Sequence, residues 1–169
     1  VLLPFLLALA APIFIGLALV SETLVVLLLG DQWHPAAPLT GLLALVYMLY
    51  SPGVLTEPLL SLTGQVGRLP LVSLCNMVVA VIFLLGAVPF GIMGVAIGQV
   101  MAAAITAGVT IWLQSHYGGV SWKRVGASSI IIVPSLIAMV ACIIWVSQLS
   151  LSPALDLGLK ILTGGLVYV

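Results

Sequence analysis

Residues 27–39 read LLLGDQWHPAAPL: a glycine closes one apolar run, two prolines open the next, and an acid, an amide, an indole and an imidazole stand between them. Glycine is favoured just past a helix end and proline at the first helical position. The stretch therefore reads as the turn of a helical hairpin. Asp31 and His34 meet water, Trp33 sits among lipid headgroups, and Pro35 or Pro38 starts the second helix.

The runs on either side fix the solvent. Of the 169 residues, 63% are hydrophobic and only 5% are charged, where a soluble domain carries about 25%. A hydrocarbon slab of about 30 Å asks for about twenty apolar residues per helix, and this chain supplies such runs repeatedly. The expected fold class is all-α, a polytopic transmembrane helix bundle. Net charge is zero and Lys123-Arg124 is the only pair of adjacent cations, which argues against nucleic-acid partners and against a polybasic surface anchor. Cys75 and Cys142 fall inside apolar runs, where a reduced thiol acts as a small hydrophobe rather than as a disulfide or metal ligand.

Outward from the hairpin, residues 2–20 form one crossing, extended by a short helix to Gly30. Residues 37–62 form a second, interrupted at Ser51-Pro52-Gly53. Residues 70–88 and 91–113 form a third and a fourth around a tight break near Pro89. After QSHYGGVSWKR comes a fifth at 127–147, then SQLSLSPALD, then the start of a sixth from about Leu157. Links this short make successive crossings antiparallel. The chain begins at Val1 without a methionine and ends at Val169 within an apolar run, so the expectation is a single bundle over 1–169 that belongs to a longer protein. The first segment lacks the basic leader of a signal peptide.

Arg68 follows the second span and Lys123-Arg124 the fourth, so alternation puts them on one face, which the positive-inside tendency makes cytoplasmic. Asp31, Trp33 and His34 then lie outside, with Asp156 and Lys160 on the same side. Trp33 and Trp122 mark opposite interfaces.

The hairpin stretch, with its LLLG helix end, its Trp and its PAAPL, leads into a helix that runs to a GQVGR turn. PFGIMGVAIGQVMAAAI follows later, with the form G-x-x-G-x-A-x-G. In order and spacing these resemble the carboxy-terminal half of bacterial polysaccharide flippases, in the superfamily that includes multidrug and toxin extrusion transporters and lipid II flippases. The resemblance covers residues 1–147. It implies two six-helix bundles facing each other across a central cavity, this chain being one of them. It further implies alternating access and a sugar-carrying lipid as cargo.

Gly94, Gly98, Ala102 and Thr106 recur every four residues and form a ridge of small side chains for close helix packing. Gln99 on that helix, and Asn76 with Ser73 one turn before it, either bond across to a neighbouring helix or line a cavity. The second span carries Tyr47, Tyr50, Ser51, Glu57 and Ser61, read as one helix face. A polar stripe in lipid must face protein or water, and the backbone break beside it is tolerated where it lines a cavity. Glu57, Tyr47, Tyr50, Ser51 and Asn76 are thus candidate substrate-binding or cavity-lining residues, with Pro52 and Gly53 as hinge. The bland alternative is a kinked helix whose Glu57 reaches the headgroups.

There is no phosphate-binding loop with Lys, no H-E-x-x-H and no C-x-x-C, and His34 and His116 fall on opposite faces. No catalytic residue, metal site or cofactor is expected. The functional expectation is a non-enzymatic, multi-pass carrier of the bacterial inner membrane. It would flip polyprenyl-diphosphate-linked oligosaccharide for surface polysaccharide assembly, with membrane lipid and an amino-terminal half of the same chain as its other partners. The alternatives are a cation-coupled multidrug exporter of the same superfamily, and a membrane enzyme or scaffold of polysaccharide assembly.

Overall fold

The computed structural model describes residues 2–130, 132–148 and 153–168, and among them every regular element is helical. The first helix, α1, runs unbroken over Leu2–Leu29 with Pro12 inside it. Its 28 residues make it roughly 42 Å long. The polar triplet Ser21-Glu22-Thr23 does not break it, because each side chain finds a partner. Ser21 donates to the Ala18 carbonyl at 2.9 Å, Glu22 meets His34 at 3.0 Å and Thr23 donates to Asp156 at 3.0 Å.

Gly30 ends α1 with φ of 90°, a conformation that side chains resist. A 3-10 turn over Asp31–Ala36 follows, and α2 spans Ala37–Tyr50 with Pro38 in its first turn. The hairpin closes tightly: a Cβ on Gly41 would lie 3.2 Å from the Ser21 hydroxyl and 3.3 Å from the Ala18 carbonyl. Farther along the same seam the Phe14 and Tyr47 rings stack with centroids 6.2 Å apart.

A second 3-10 turn, Ser51–Leu55, separates α2 from the short α3, Thr56–Leu62. Gly64, with φ of 71°, turns the chain into α4, Leu69–Ala87. Gly91, with φ of 74°, turns it again into α5, Gly91–His116. The α4–α5 pair folds back on itself, since a Cβ on Gly98 would lie 2.9 Å from that of Ala87 and 3.1 Å from the Phe83 carbonyl. Helix α5 is central. It packs on α4 on one side and on α2 and α3 on the other, while α1 lies beyond α2.

The stretch expected as one span at 127–147 is a bent pair, α6, Trp122–Ser129, and α7, Ile132–Ser147, at 46° to each other, which together are long and apolar enough for one broken span. Helix α8, Pro153–Tyr168, starts earlier than Leu157 and packs antiparallel on α1: Asp156 and Lys160 lie beside Thr23, and Tyr168 donates to the Ala8 carbonyl. Asp156 and Lys160 form an ion pair of 2.6 Å in which Lys160 is buried and Asp156 half-buried. Their i, i+4 spacing lets each neutralise the other before α1 covers them. The SQLS segment expected as an external link lies partly outside the described residues.

Three helical runs are long and apolar enough to cross a membrane, or four with the bent α6–α7 pair. The longest, Val66–His116, contains the α4–α5 fold-back. Many large apolar side chains point outward, among them Leu71, Ile82, Leu85 and Ile137. Apolar helices covered by apolar side chains are consistent with lipid as the surrounding solvent.

Candidate functional site

Pro52 and Pro58 lack backbone donors, so the helix that begins at Ala37 cannot continue its hydrogen-bond ladder through 51–58. The Ser51–Leu55 turn is the result. Ser51 repairs part of the loss by donating its hydroxyl to the Met48 carbonyl at 2.7 Å. The Pro52 carbonyl, left exposed by the break, is taken by Gln114 of α5. The amide Nε2 donates to Pro52 O at 2.8 Å and to the Thr56 hydroxyl at 2.9 Å. Gln114 is 2% exposed, and among the described residues its Oε1 has no hydrogen-bond partner.

Beside this clamp the bundle opens into a cavity of about 590 Å³ between the break, α4 and α5. Tyr50, Gly53, Thr56 and Glu57 line it from the break, Pro70, Ser73 and Asn76 from α4, and Thr106 and Thr110 from α5. A Cβ on Gly53 would meet nothing within 4 Å, so glycine there leaves the cavity open rather than relieving a clash. Glu57 is the only charged residue in the lining. It is exposed, and among the described residues no cation lies within ion-pair distance of it.

Of the sequence candidates, Tyr50, Glu57, Asn76 and Gly53, the last expected as part of a hinge, share this cavity, joined by Ser73. Tyr47 and Ser51 do not line it. Tyr47 stacks on Phe14 of α1, and Ser51 borders a smaller cavity of about 200 Å³ with Leu7, Ala11 and Ser129. The stripe read as one face is therefore two. Successive helical residues lie about 100° apart, so when Tyr50 faces the cavity, Ser51 turns toward α1. Pro52 is buried at the clamp.

Thr56, Thr106, Thr110 and Gln114 were not singled out for this site from the sequence. A signal for three of them was present, because the small-residue ridge continues at the same interval: Gly94, Gly98, Ala102, Thr106, Thr110, Gln114. A four-residue repeat drifts by about 40° per step on a helix of 3.6 residues per turn. The ridge thus winds from the α4 seam, where Gly98 touches Phe83 and Ala87, to the α2–α3 break, where Gln114 clamps Pro52. The cross-helix amide is Gln114, whereas Gln99 is half-buried on the same helix.

Charge is segregated along the bundle. Glu22, Asp31 and the Asp156–Lys160 pair gather at the end where α1 turns into α2. Arg68 and Arg124 lie at the opposite end, Arg68 against Tyr117 just past α5 and Arg124 in a recess shared with Leu3, Pro58 and Gly119. His34 and His116 are likewise apart, the first on Glu22 and the second stacked on Trp112. The described residues contain no group of three or more His, Cys, Asp or Glu able to hold a metal ion. In comparisons with known proteins the chain matched no family model, no curated protein and no solved structure.

Proposed function

We propose that this chain is one bundle of a membrane transporter that flips a polyprenyl-diphosphate-linked oligosaccharide for surface polysaccharide assembly. The observation that carries this reading is the composition of the cavity. Hydroxyls and amides from Tyr50, Thr56, Ser73, Asn76, Thr106 and Thr110 converge in an otherwise apolar helix assembly. A sugar head cannot cross hydrocarbon without replacing its bonds to water, and a wall of neutral donors and acceptors supplies the replacements. The order of motifs along residues 1–147 supports the same family. On this reading α1, α2 with α3, α4, α5 and α6 with α7 are five crossings and α8 is the sixth. A second bundle closes the cavity, the protein resides in a bacterial inner membrane, and the work is transport without bond chemistry. The end with Arg68 and Arg124 faces the cytoplasm.

One observation favours a second reading. The lining holds one carboxylate and no cation, which suits a cation-coupled exporter of cationic drugs. The two readings divide on a single substitution. In the full-length protein, Glu57→Gln should lower outer-leaflet delivery of lipid-linked sugar about tenfold, the loss of one hydrogen bond to a charged acceptor, at unchanged membrane level. If instead the variant keeps sugar delivery and loses efflux of cationic dyes, the exporter reading stands. Orientation is checked by cysteines placed at 34 and 123 and an impermeant thiol reagent on intact cells, with labelling expected at 34 only.

A further inference from the structure

Gln114 bonds to Pro52 and Thr56, and of these clamp residues Thr56 alone also lines the cavity. The direction of its hydroxyl hydrogen follows from its neighbours. A carbonyl can only accept, so the Gln114 group facing Pro52 O at 2.8 Å is the amide nitrogen, and the second hydrogen of that nitrogen goes to the Thr56 oxygen at 2.9 Å. Thr56 is thus the acceptor in this bond, and its own hydrogen must be donated elsewhere. A helical threonine hydroxyl ordinarily turns back to a carbonyl one turn earlier. Here those carbonyls are engaged, Pro52 O by Gln114 and Gly53 O by the Thr56 backbone N–H. Among the described residues the Thr56 hydroxyl donates to no protein acceptor. Gln114 also carries its Oε1 buried and without a partner among the described residues. An unmet buried acceptor costs stability that an apolar side chain would not lose. What the amide supplies instead is two N–H groups in fixed positions.

We infer that Gln114 is a positioning residue that aims the Thr56 hydroxyl hydrogen into the cavity, and that Thr56 as donor and Glu57 as acceptor together recognise a vicinal diol, the hydroxyls on neighbouring carbons of a sugar ring. The inference rests on the transport reading above and names the chemical group that its cavity reads. Glu57 follows Thr56 directly and lines the same cavity. It is exposed, and among the described residues no cation pairs with it, so its oxygens are left to accept. Two adjacent residues therefore offer opposite halves of a hydrogen-bonding pair. One hydroxyl of a diol accepts from Thr56 while its neighbour donates to Glu57, the second bond being the stronger because its acceptor is charged. A cationic ligand would satisfy Glu57 and leave the Thr56 donor unmet.

The test is binding, measured by native mass spectrometry on the full-length protein in a polyoxyethylene detergent, which carries no diol. The probes are octyl glucoside and its permethylated form, which keeps the oxygens and has no hydroxyl to donate. Octyl glucoside should bind about tenfold more tightly than the permethylated form. Thr56→Val keeps the shape, removes the hydroxyl and should weaken octyl glucoside about tenfold, whereas Thr56→Ser keeps a hydroxyl and should stay within about threefold of wild type. Gln114→Met frees the Pro52 carbonyl, to which the Thr56 hydroxyl can then turn back. It should weaken octyl glucoside about fivefold by itself and less than about twofold in the Thr56→Val background. A purely structural role for Gln114 would give the same loss in both. Equal affinity of wild type and Thr56→Val for octyl glucoside overturns the inference. Equal losses from Gln114→Met in the two backgrounds overturn the positioning role, and permethylated glucoside binding as tightly as octyl glucoside overturns the pairing with Glu57. Because the assay involves no transport, binding that depends on Thr56 in a protein that exports no sugar would sink the flippase reading alone. Sugar export with octyl glucoside binding indifferent to Thr56 would sink this inference alone.

Discussion

The two halves of α5 carry one repeat and do opposite things with it. In the first half, glycines at 94 and 98 bring the helix against α4 so closely that a Cβ on Gly98 would lie 2.9 Å from that of Ala87. In the second half, Thr106, Thr110 and Gln114 occupy the same ridge, and the seam parts into a cavity of about 590 Å³. All three are at most 4% exposed. A side chain of zero size closes a helix pair, and a hydroxyl or amide at the same register holds it open while satisfying the polar groups the gap exposes. The difference between contact and cavity is therefore written in side-chain size and polarity along one line of one helix.

The sharpest way to break this comparison is to put bulk into the closed half. Gly98→Leu places a side chain against the Phe83 carbonyl, which is backbone and cannot rotate away. The expected cost is about 3 kcal/mol, at the upper end for overpacking, and shows as a lowered thermal midpoint in detergent and a lower membrane level. Gln114→Leu comes next. It removes both bonds to the broken helix, at 2.8 and 2.9 Å, for about 2 kcal/mol. Hydrogen exchange at residues 53–57 should quicken by roughly tenfold or more. Smallest in stability is Gly53→Leu in the open half. A Cβ there meets nothing within 4 Å, so stability should shift by less than about 0.5 kcal/mol while the side chain fills the cavity. A large loss of stability in Gly53→Leu, or none in Gly98→Leu, would show that the two halves do not differ as described.

Much of this was legible in sequence. Gly30 between LLL and DQWHP marked the first hairpin because helix termination by glycine and initiation by proline are local effects. Glu57, Tyr50 and Asn76 stood out because polar side chains in apolar runs are few. Other features were not legible. Tyr47 shares α2 with Tyr50 and Ser51 follows it directly, yet Tyr47 stacks on Phe14 of α1 and Ser51 borders the smaller cavity, because neighbours in a stripe diverge where one flank of the helix meets α1 and the other the cavity. Asp156 and Lys160 read as a polar edge, yet their own pairing and Thr23 of α1 leave Lys160 buried and Asp156 half-buried.

The sequence by itself determined the apolar, helical character of the chain, the glycine and proline turns, and the gathering of Arg68 and Arg124 at one end. Each follows from composition or from interactions within a few residues. Only the tertiary structure decided which face of the broken helix sees the cavity, that Gln114 clamps Pro52 from 62 residues away, and that Thr23 reaches Asp156 across 133 residues. The reason is that periodicity fixes a residue's angle around its own helix, whereas its partner depends on which helices pack and at what depth, and that is set by the summed fit of side chains along whole seams.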